Sequence, residues 1–173
     1  PDTKTRFGSR DKAMLEILYA CGLRVSELVS LKFSQVNIES NFLRVLGKGN
    51  KERIIPINDY ALSFLKEYID QFRKEFIKSR KTDALFLSNR GSEMTRHSFW
   101  HILKKYAVQV GINEHLSPHT LRHAFATHMI NNGADLRVVQ LLLGHSDLST
   151  TQLYTHIAKN ELKELHCKNH PRA

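Results

Sequence analysis

The stretch FLRVLGKGNKERIIPI constrains the fold of this chain more than any other. Residues 42–46 and 53–57 are two β-rich runs, and the turn formers Gly47, Gly49 and Asn50 stand between them, which is the pattern of a hairpin. Almost everything around it has helical spacing. Ser9 can cap a helix through RDKAMLEILYACG, where Met14, Ile17, Leu18 and Cys21 recur on one side and Gly22 ends the run. A short helix follows in RVSELVSLK. A long amphipathic helix is predicted over residues 59–79, ending in a basic run from Arg73 to Lys81. The apolar run ALFLS reads as a third strand. TRHSFWHILKKYAVQVG is a helix capped by Thr95 and ended by Gly111. Four helical stretches close the chain, at residues 118–132, 136–143, 150–157 and 159–166, and KNHPRA reads as a frayed tail. Helices and hairpin are segregated rather than alternating. The class is therefore α+β, mainly α, with one small antiparallel sheet, and not a doubly wound sheet.

The 173 residues suffice for one domain that buries roughly 70% of its unfolded surface. No apolar run approaches the ~20 residues that span a bilayer. Cys21 and Cys167 lie far apart and offer neither a disulfide framework nor zinc spacing; they read as two reduced thiols of a cytosolic protein. Lys and Arg number 26 against 17 Asp and Glu, a net charge of +9. An excess of this size suggests a polyanionic partner, nucleic acid first.

SPHTLRHAFATH holds the densest chemistry. Ser117 and Pro118 are a strong helix start. With His119 at zero on a helical wheel, Arg122 lies about 60° to one side and His123 about 40° to the other. Leu121, Phe125, His128 and Met129 fall on the opposite, apolar side, which places His128 in the core with a hydrogen-bond partner. His119 and His123 have the spacing of two metal ligands. A zinc-protease helix needs Glu beside the first His, however, and Thr120 stands there. Arg122 would repel a cation and attract an anion. A phosphate-facing helix fits these residues better than a metal site.

Other residues carry weaker signals. Arg24 opens a short helix, where its charge opposes the dipole; a salt bridge to Glu27 is the ordinary explanation. Lys48 and Lys51 flank the hairpin turn, either as solvated decoration or as a finger carrying an ammonium to phosphate. Gly144 ends one helix, His145 follows it, and Tyr154 stands nine residues later, where an amphipathic core aromatic would also fit.

In chain order these residues resemble the tyrosine recombinase (phage integrase) family. The pattern reads Arg24 in GLRVSEL, Lys48 in GKGNKER, His119 and Arg122 in HTLR, His145 in LGHSDLSTT, and Tyr154 in QLYTH. The segment from SPHTLRHAFATH to QLYTH and the ending HPRA look like the Xer branch, which resolves chromosome dimers. The resemblance implies the catalytic-domain fold of these DNA breaking-rejoining enzymes over residues 1–173. It implies the carboxy-terminal half of a longer protein, whose amino-terminal core-binding domain the chain lacks.

It also implies the chemistry. A tyrosine cleaves DNA to a 3′-phosphotyrosyl intermediate and a free 5′-hydroxyl, and strand exchange proceeds through a Holliday junction at a dif-type site. A phenol of pKa near 10 is ionised about once in a thousand at pH 7, so forming the phenolate costs roughly 4 kcal/mol. Charge also builds on the non-bridging oxygens, and the leaving oxygen needs a proton. By resemblance, Tyr154 is the nucleophile. Arg24 and Arg122 grip the phosphate with forked donors. His145 donates a further hydrogen bond, His119 is the general base, and Lys48 is the general acid. Neither cofactor nor metal is expected, and cleavage should survive a chelator.

The partners implied are double-stranded DNA, other recombinase protomers in a homo- or hetero-tetramer, and a DNA-translocase activator (FtsK-like). The setting implied is bacterial, cytoplasmic and nucleoid-associated. Lys51, Arg96, Lys104 and Lys105 are candidate DNA contacts. Residues 159–173, with Leu162 and Leu165 as an apolar stripe, either dock on a neighbouring protomer or pack on their own domain. The competing readings are a mobile-element integrase or transposase, a type IB topoisomerase, a non-catalytic DNA-binding module and a metal-binding histidine protein.

Overall fold

The computed structural model describes residues 1–47, 52–77, 82–112, 116–144 and 156–172, with side chains from Leu162 onward in the last stretch. Helix α1 (Arg6–Ala20) is the central post. Met14, Ile17, Leu18 and the following Cys21 are fully buried, as their spacing requires. The helix begins one turn earlier than Ser9. Thr5 accepts from the amide of Gly8 at 3.1 Å, so Ser9 lies buried inside the helix instead of capping it. Helix α2 (Val25–Val29) is short and leads into a single 3₁₀ turn over Phe33–Gln35.

The sheet has three antiparallel strands in the order β1 (Val36–Asn37), β2 (Phe42–Leu46) and β3 (Glu52–Pro56). The hairpin is where the sequence puts it, with Leu43 opposite Ile55. The third strand is not. ALFLS is buried through Ala84, Leu85, Phe86 and Leu87, yet it makes only isolated bridges. Its backbone groups are taken elsewhere. The Leu85 carbonyl accepts from the Tyr68 hydroxyl and from Nε of Arg73, and the Leu85 amide donates to Leu31. With its carbonyl held by side chains and its amide by the Leu31 carbonyl, Leu85 has neither group left for a longer ladder.

The long amphipathic run is helical to Phe76 but changes pitch. It passes from α3 (Asp59–Glu67) through a π-helical stretch (Tyr68–Phe72) into α4 (Arg73–Phe76). The wider turn brings Tyr68 and Arg73, five apart, onto the same carbonyl of Leu85. Residues 78–81, where the basic run ends, lie outside the described residues.

Helix α5 (Arg96–Gln109) is capped by Thr95, and Gly111 follows it at φ 74°, both as predicted. Helix α6 (Pro118–Asn131) is capped by Ser117, whose hydroxyl accepts from the Thr120 amide at 3.1 Å. Phe125 and Met129 are its buried side. His128 departs from expectation: it is exposed, and its Nδ1 meets the Tyr19 hydroxyl at 2.6 Å. The partner is present but the burial is not, because Tyr19 stands at the edge of α1 rather than under it.

Helix α7 (Leu136–Leu143) has the predicted bounds and ends on Gly144 at φ 69°. The stretch predicted as helix over residues 150–157 lies, but for its last two residues, outside the described residues. Helix α8 (His156–Asn169) packs against α6 and β3 of its own chain. The apolar stripe is divided, since Leu162 packs against the core while Leu165 faces outward.

The tail is anchored rather than frayed. His166, Asn169 and His170 are buried, and His166 Nε2 meets the Ala20 carbonyl at 2.7 Å. Asn58 Nδ2 meets His170 Nδ1 at 2.9 Å, and Arg172 pairs with the buried Glu16. Sequence composition read these residues as polar; their partners on α1 and α3 are distant in the chain.

Candidate active site

The site is assembled where α2, β3, α6 and the end of α7 converge. Gly22 makes the first contribution. It turns the chain out of α1 at φ 55°, a left-handed conformation suited to glycine. A Cβ there would stand 2.5 Å from the Phe125 ring and 3.1 Å from Leu143. The close approach lets the Gly22 carbonyl accept from Nη1 of Arg122. Nη2 of the same guanidinium donates to the Leu143 carbonyl at 2.6 Å. Two carbonyls therefore set the plane of Arg122, and its other N–H donors meet no acceptor among the described residues. Burial, then the charge of Arg24, pushes the Arg122 pKa down to about 10, with Glu27 opposing. Arg122 stays cationic at neutral pH.

Arg24 stands at the N-cap of α2, and its conflict with the dipole is resolved by Glu27. One Glu27 oxygen accepts from the Arg24 amide at 2.8 Å, the other from Arg24 Nη1 at 3.0 Å. The Arg24 side chain remains 36% exposed, against 6% for that of Glu27. Behind the carboxylate lies a third arginine. Arg53 donates Nη1 and Nη2 to the two Glu27 oxygens at 2.8 Å each. Burial alone would raise the Glu27 pKa. The hydrogen bonds and charge of Arg53, then those of Arg24, outweigh it and hold the carboxyl below its ordinary range. Three guanidinium groups around one carboxylate leave two positive charges in excess, on Arg24 and Arg122, where an anion can reach them.

His119 is exposed on the first turn of α6, one turn before Arg122 is complete, and His123 is exposed on the same side. Among the described residues no group of three or more His, Cys, Asp or Glu side chains could hold a metal ion. Of the six residues expected by resemblance, Arg24, His119 and Arg122 can be placed. Lys48, His145 and Tyr154 lie outside the described residues, as does Lys51. Chain connectivity still sets their anchors: β2 ends at Leu46, and Gly144 caps α7 one residue before His145.

The other basic candidates share helix α5, which packs on α2. Arg96, Lys104 and Lys105 are exposed. The Lys104 ammonium lies 5.1 Å from the Trp100 ring centre, and that of Lys105 lies 5.1 Å from the Tyr106 ring.

Arg53 was missed from sequence, read only as a strand residue. The signal was there. Arg53 shares the alternation of Ile55 and Ile57, both fully buried, so a cation was being sent to the core side of the strand. Such a residue needs a buried anion as partner.

A family model described as the phage integrase family matches residues 2–161. The chain belongs to that family. Among similar phage integrase relatives, the tyrosine recombinase XerD of Pseudomonas putida is 59% identical over 172 residues, covering 99% of this chain and 58% of that protein. The tyrosine recombinase XerD of Vibrio cholerae is 55% identical over 174 residues, covering 100% and 58%. Among solved structures, the XerA recombinase matches with a TM-score of 0.74 at 34% identity, covering 95% of this chain and 60% of that one. The XerH site-specific recombinase bound to its difH substrate, a pre-cleavage complex, matches at 0.73 and 29% identity, covering 92% and 46%. The fold is the tyrosine recombinase catalytic-domain fold, and within the family the resemblance is to the Xer type. The chain spans somewhat over half the length of the curated relatives it matches.

Proposed function

We propose that this chain is the strand-cleaving part of a site-specific tyrosine recombinase of the Xer kind. The observation that carries the reading is the pair of oriented arginines. Arg24 and Arg122 come from elements about a hundred residues apart in sequence, yet each is held by a fixed acceptor and each feels the other's charge. Like charges are brought together at a cost, and a phosphate between them would remove it. Forked guanidinium groups suit its non-bridging oxygens better than an ammonium would.

In this reading Tyr154 attacks the scissile phosphorus and forms the 3′-phosphotyrosyl ester. His119 accepts the phenol proton, His145 donates to a non-bridging oxygen, and Lys48 protonates the leaving 5′-oxygen. The ester keeps the energy of the broken bond, so no external energy source enters. Neutralisation by arginine and lysine makes a metal ion unnecessary. Arg96, Lys104 and Lys105 on α5 would contact the DNA backbone, as would Lys51. The relatives named XerD and the XerH complex with difH support double-stranded DNA with a dif-type site as substrate. Chromosome-dimer resolution, a tetramer of recombinase protomers and activation by a DNA translocase belong to the same proposal for the whole protein.

The test is a nicked suicide DNA carrying a Xer-type site, incubated with and without EDTA. A covalent protein–DNA adduct should form equally in both, and Tyr154→Phe should form none. An adduct from the Phe variant, or one abolished by EDTA, would overturn the mechanism.

A further inference from the structure

Arg53 has no place in the six-residue set, yet from β3 it reaches both α2 and the end of α7. Its side chain is 5% exposed. Nη1 and Nη2 form a two-pronged pair with Glu27, and Nε donates to the Leu142 carbonyl at 3.1 Å. Arg122 donates to the next carbonyl, that of Leu143. The last turn of α7, directly before Gly144 and His145, is thus held by two guanidinium groups. Gly144 packs against one of them: a Cβ there would stand 3.1 Å from Cδ and Nη1 of Arg53 and 3.2 Å from Cζ. Arg53 also sits at the start of β3, opposite Val45 of β2, at the base of the hairpin that carries Lys48.

The electrostatics point the same way. Glu27 holds Arg24 by its backbone and its guanidinium, which fixes the arginine but also partly neutralises it. A carboxylate held only by Arg24 would halve the positive charge offered to a phosphate. Arg53 covers the carboxylate from the buried side with a charge that no substrate can reach.

Resting on the recombinase reading, we propose that Arg53 is a positioning residue for DNA cleavage: it balances Glu27 so that Arg24 keeps its charge for the scissile phosphate, and it fixes the end of α7 that leads to His145. Arg53 touches no substrate itself. A purely structural ion pair would make the same contacts, so the test must read charge at the phosphate and not stability.

The experiment compares wild type and Arg53→Lys in single-turnover cleavage of two nicked suicide substrates at saturating DNA. One has the natural scissile phosphate. The other has a methylphosphonate there, which lacks the anionic non-bridging oxygen. Lysine keeps the positive charge but cannot form the fork, so Glu27 draws more on Arg24. We expect the cleavage rate on phosphate to fall about tenfold to a hundredfold, with the DNA concentration at half-saturation changed by less than about threefold. On the methylphosphonate the deficit should shrink to within about threefold. An equal deficit on both substrates, or an unchanged rate on phosphate, overturns the inference. If Arg53→Lys does not fold, Glu27→Gln with Arg53→Met takes its place. It removes both charges and preserves their sum, so whatever deficit the lost hydrogen bonds cause should be equal within about threefold on the phosphate and the methylphosphonate; a deficit confined to the phosphate in a folded protein overturns the inference. No adduct from wild type on phosphate would overturn the recombinase reading itself, and this inference with it.

Discussion

Gly22 shows how much of the site hangs on single atoms. Its φ of 55° and the Phe125 ring 2.5 Å from a would-be Cβ both exclude a side chain, and its carbonyl orients Arg122. Gly22→Ala is expected to destabilise the chain by about 2–4 kcal/mol, from the left-handed backbone and the overpacking together. Urea unfolding measures the loss, and an unchanged midpoint would mean that the ring simply moves aside. At this scale the sequence was readable where a residue type is chemically distinctive. Arg24 stood out by a charge that opposes a helix dipole, and His119 with Arg122 by spacing; the structure places Arg24 and Arg122 within each other's field. The partner of Arg24 was also readable, since Glu27 is one helical turn away. Arg53 was not read, because its carboxylate lies 26 residues earlier and only the folded sheet brings the two together.

Elements carry two further expectations. Helix α8 and its tail rest on buried neutral histidines. Burial, then the charges of His166, Arg172 and His128, lowers the His170 pKa to about 3, and burial lowers that of His166. The sign follows from proton binding. Above the ordinary histidine pKa near 6.5 both states are neutral and nothing changes. Below it the unfolded chain takes up protons that the folded chain refuses, so stability falls from about pH 6.5 towards pH 3. By pH 5 His170 alone accounts for at most about 2 kcal/mol. Hydrogen exchange of the α8 amides at pH 7 and pH 5, corrected for intrinsic rates, should show the loosening first in this helix. Uniform protection at both pH values would refute it.

Helix α5 makes the second expectation, which concerns DNA. Lys104→Ala and Lys105→Ala should each lower the slope of log affinity against log salt by about 1. Unchanged slopes would place these ammonium groups on solvent alone. The elements themselves were mostly legible, because caps and spacing are local. Thr95, Ser117 and Gly144 did what their types predict. ALFLS was misread because an apolar run says that a segment is buried, and not which groups will take its backbone hydrogen bonds.

For the whole molecule, the net charge of +9 favours binding to a polyanion regardless of its sequence. Should the chain neutralise six or more phosphates, affinity for duplex DNA would fall about a thousandfold or more between about 50 and about 200 mM salt. A fluorescence-anisotropy titration series reads this directly, and salt-independent binding would remove charge as the basis of recognition. What the sequence determined by itself was the class of fold, the hairpin and the helices with strong caps. Each depends on neighbours a few positions apart, where backbone geometry leaves few choices. What only the tertiary structure decided was the company those residues keep. The tail became an anchored strap because Glu16, Ala20 and Asn58 happen to face it. Glu27 became the centre of a charge cluster because β3 carries Arg53 to its buried side. Such pairings depend on which surfaces meet when distant segments pack, and a one-dimensional pattern does not record that.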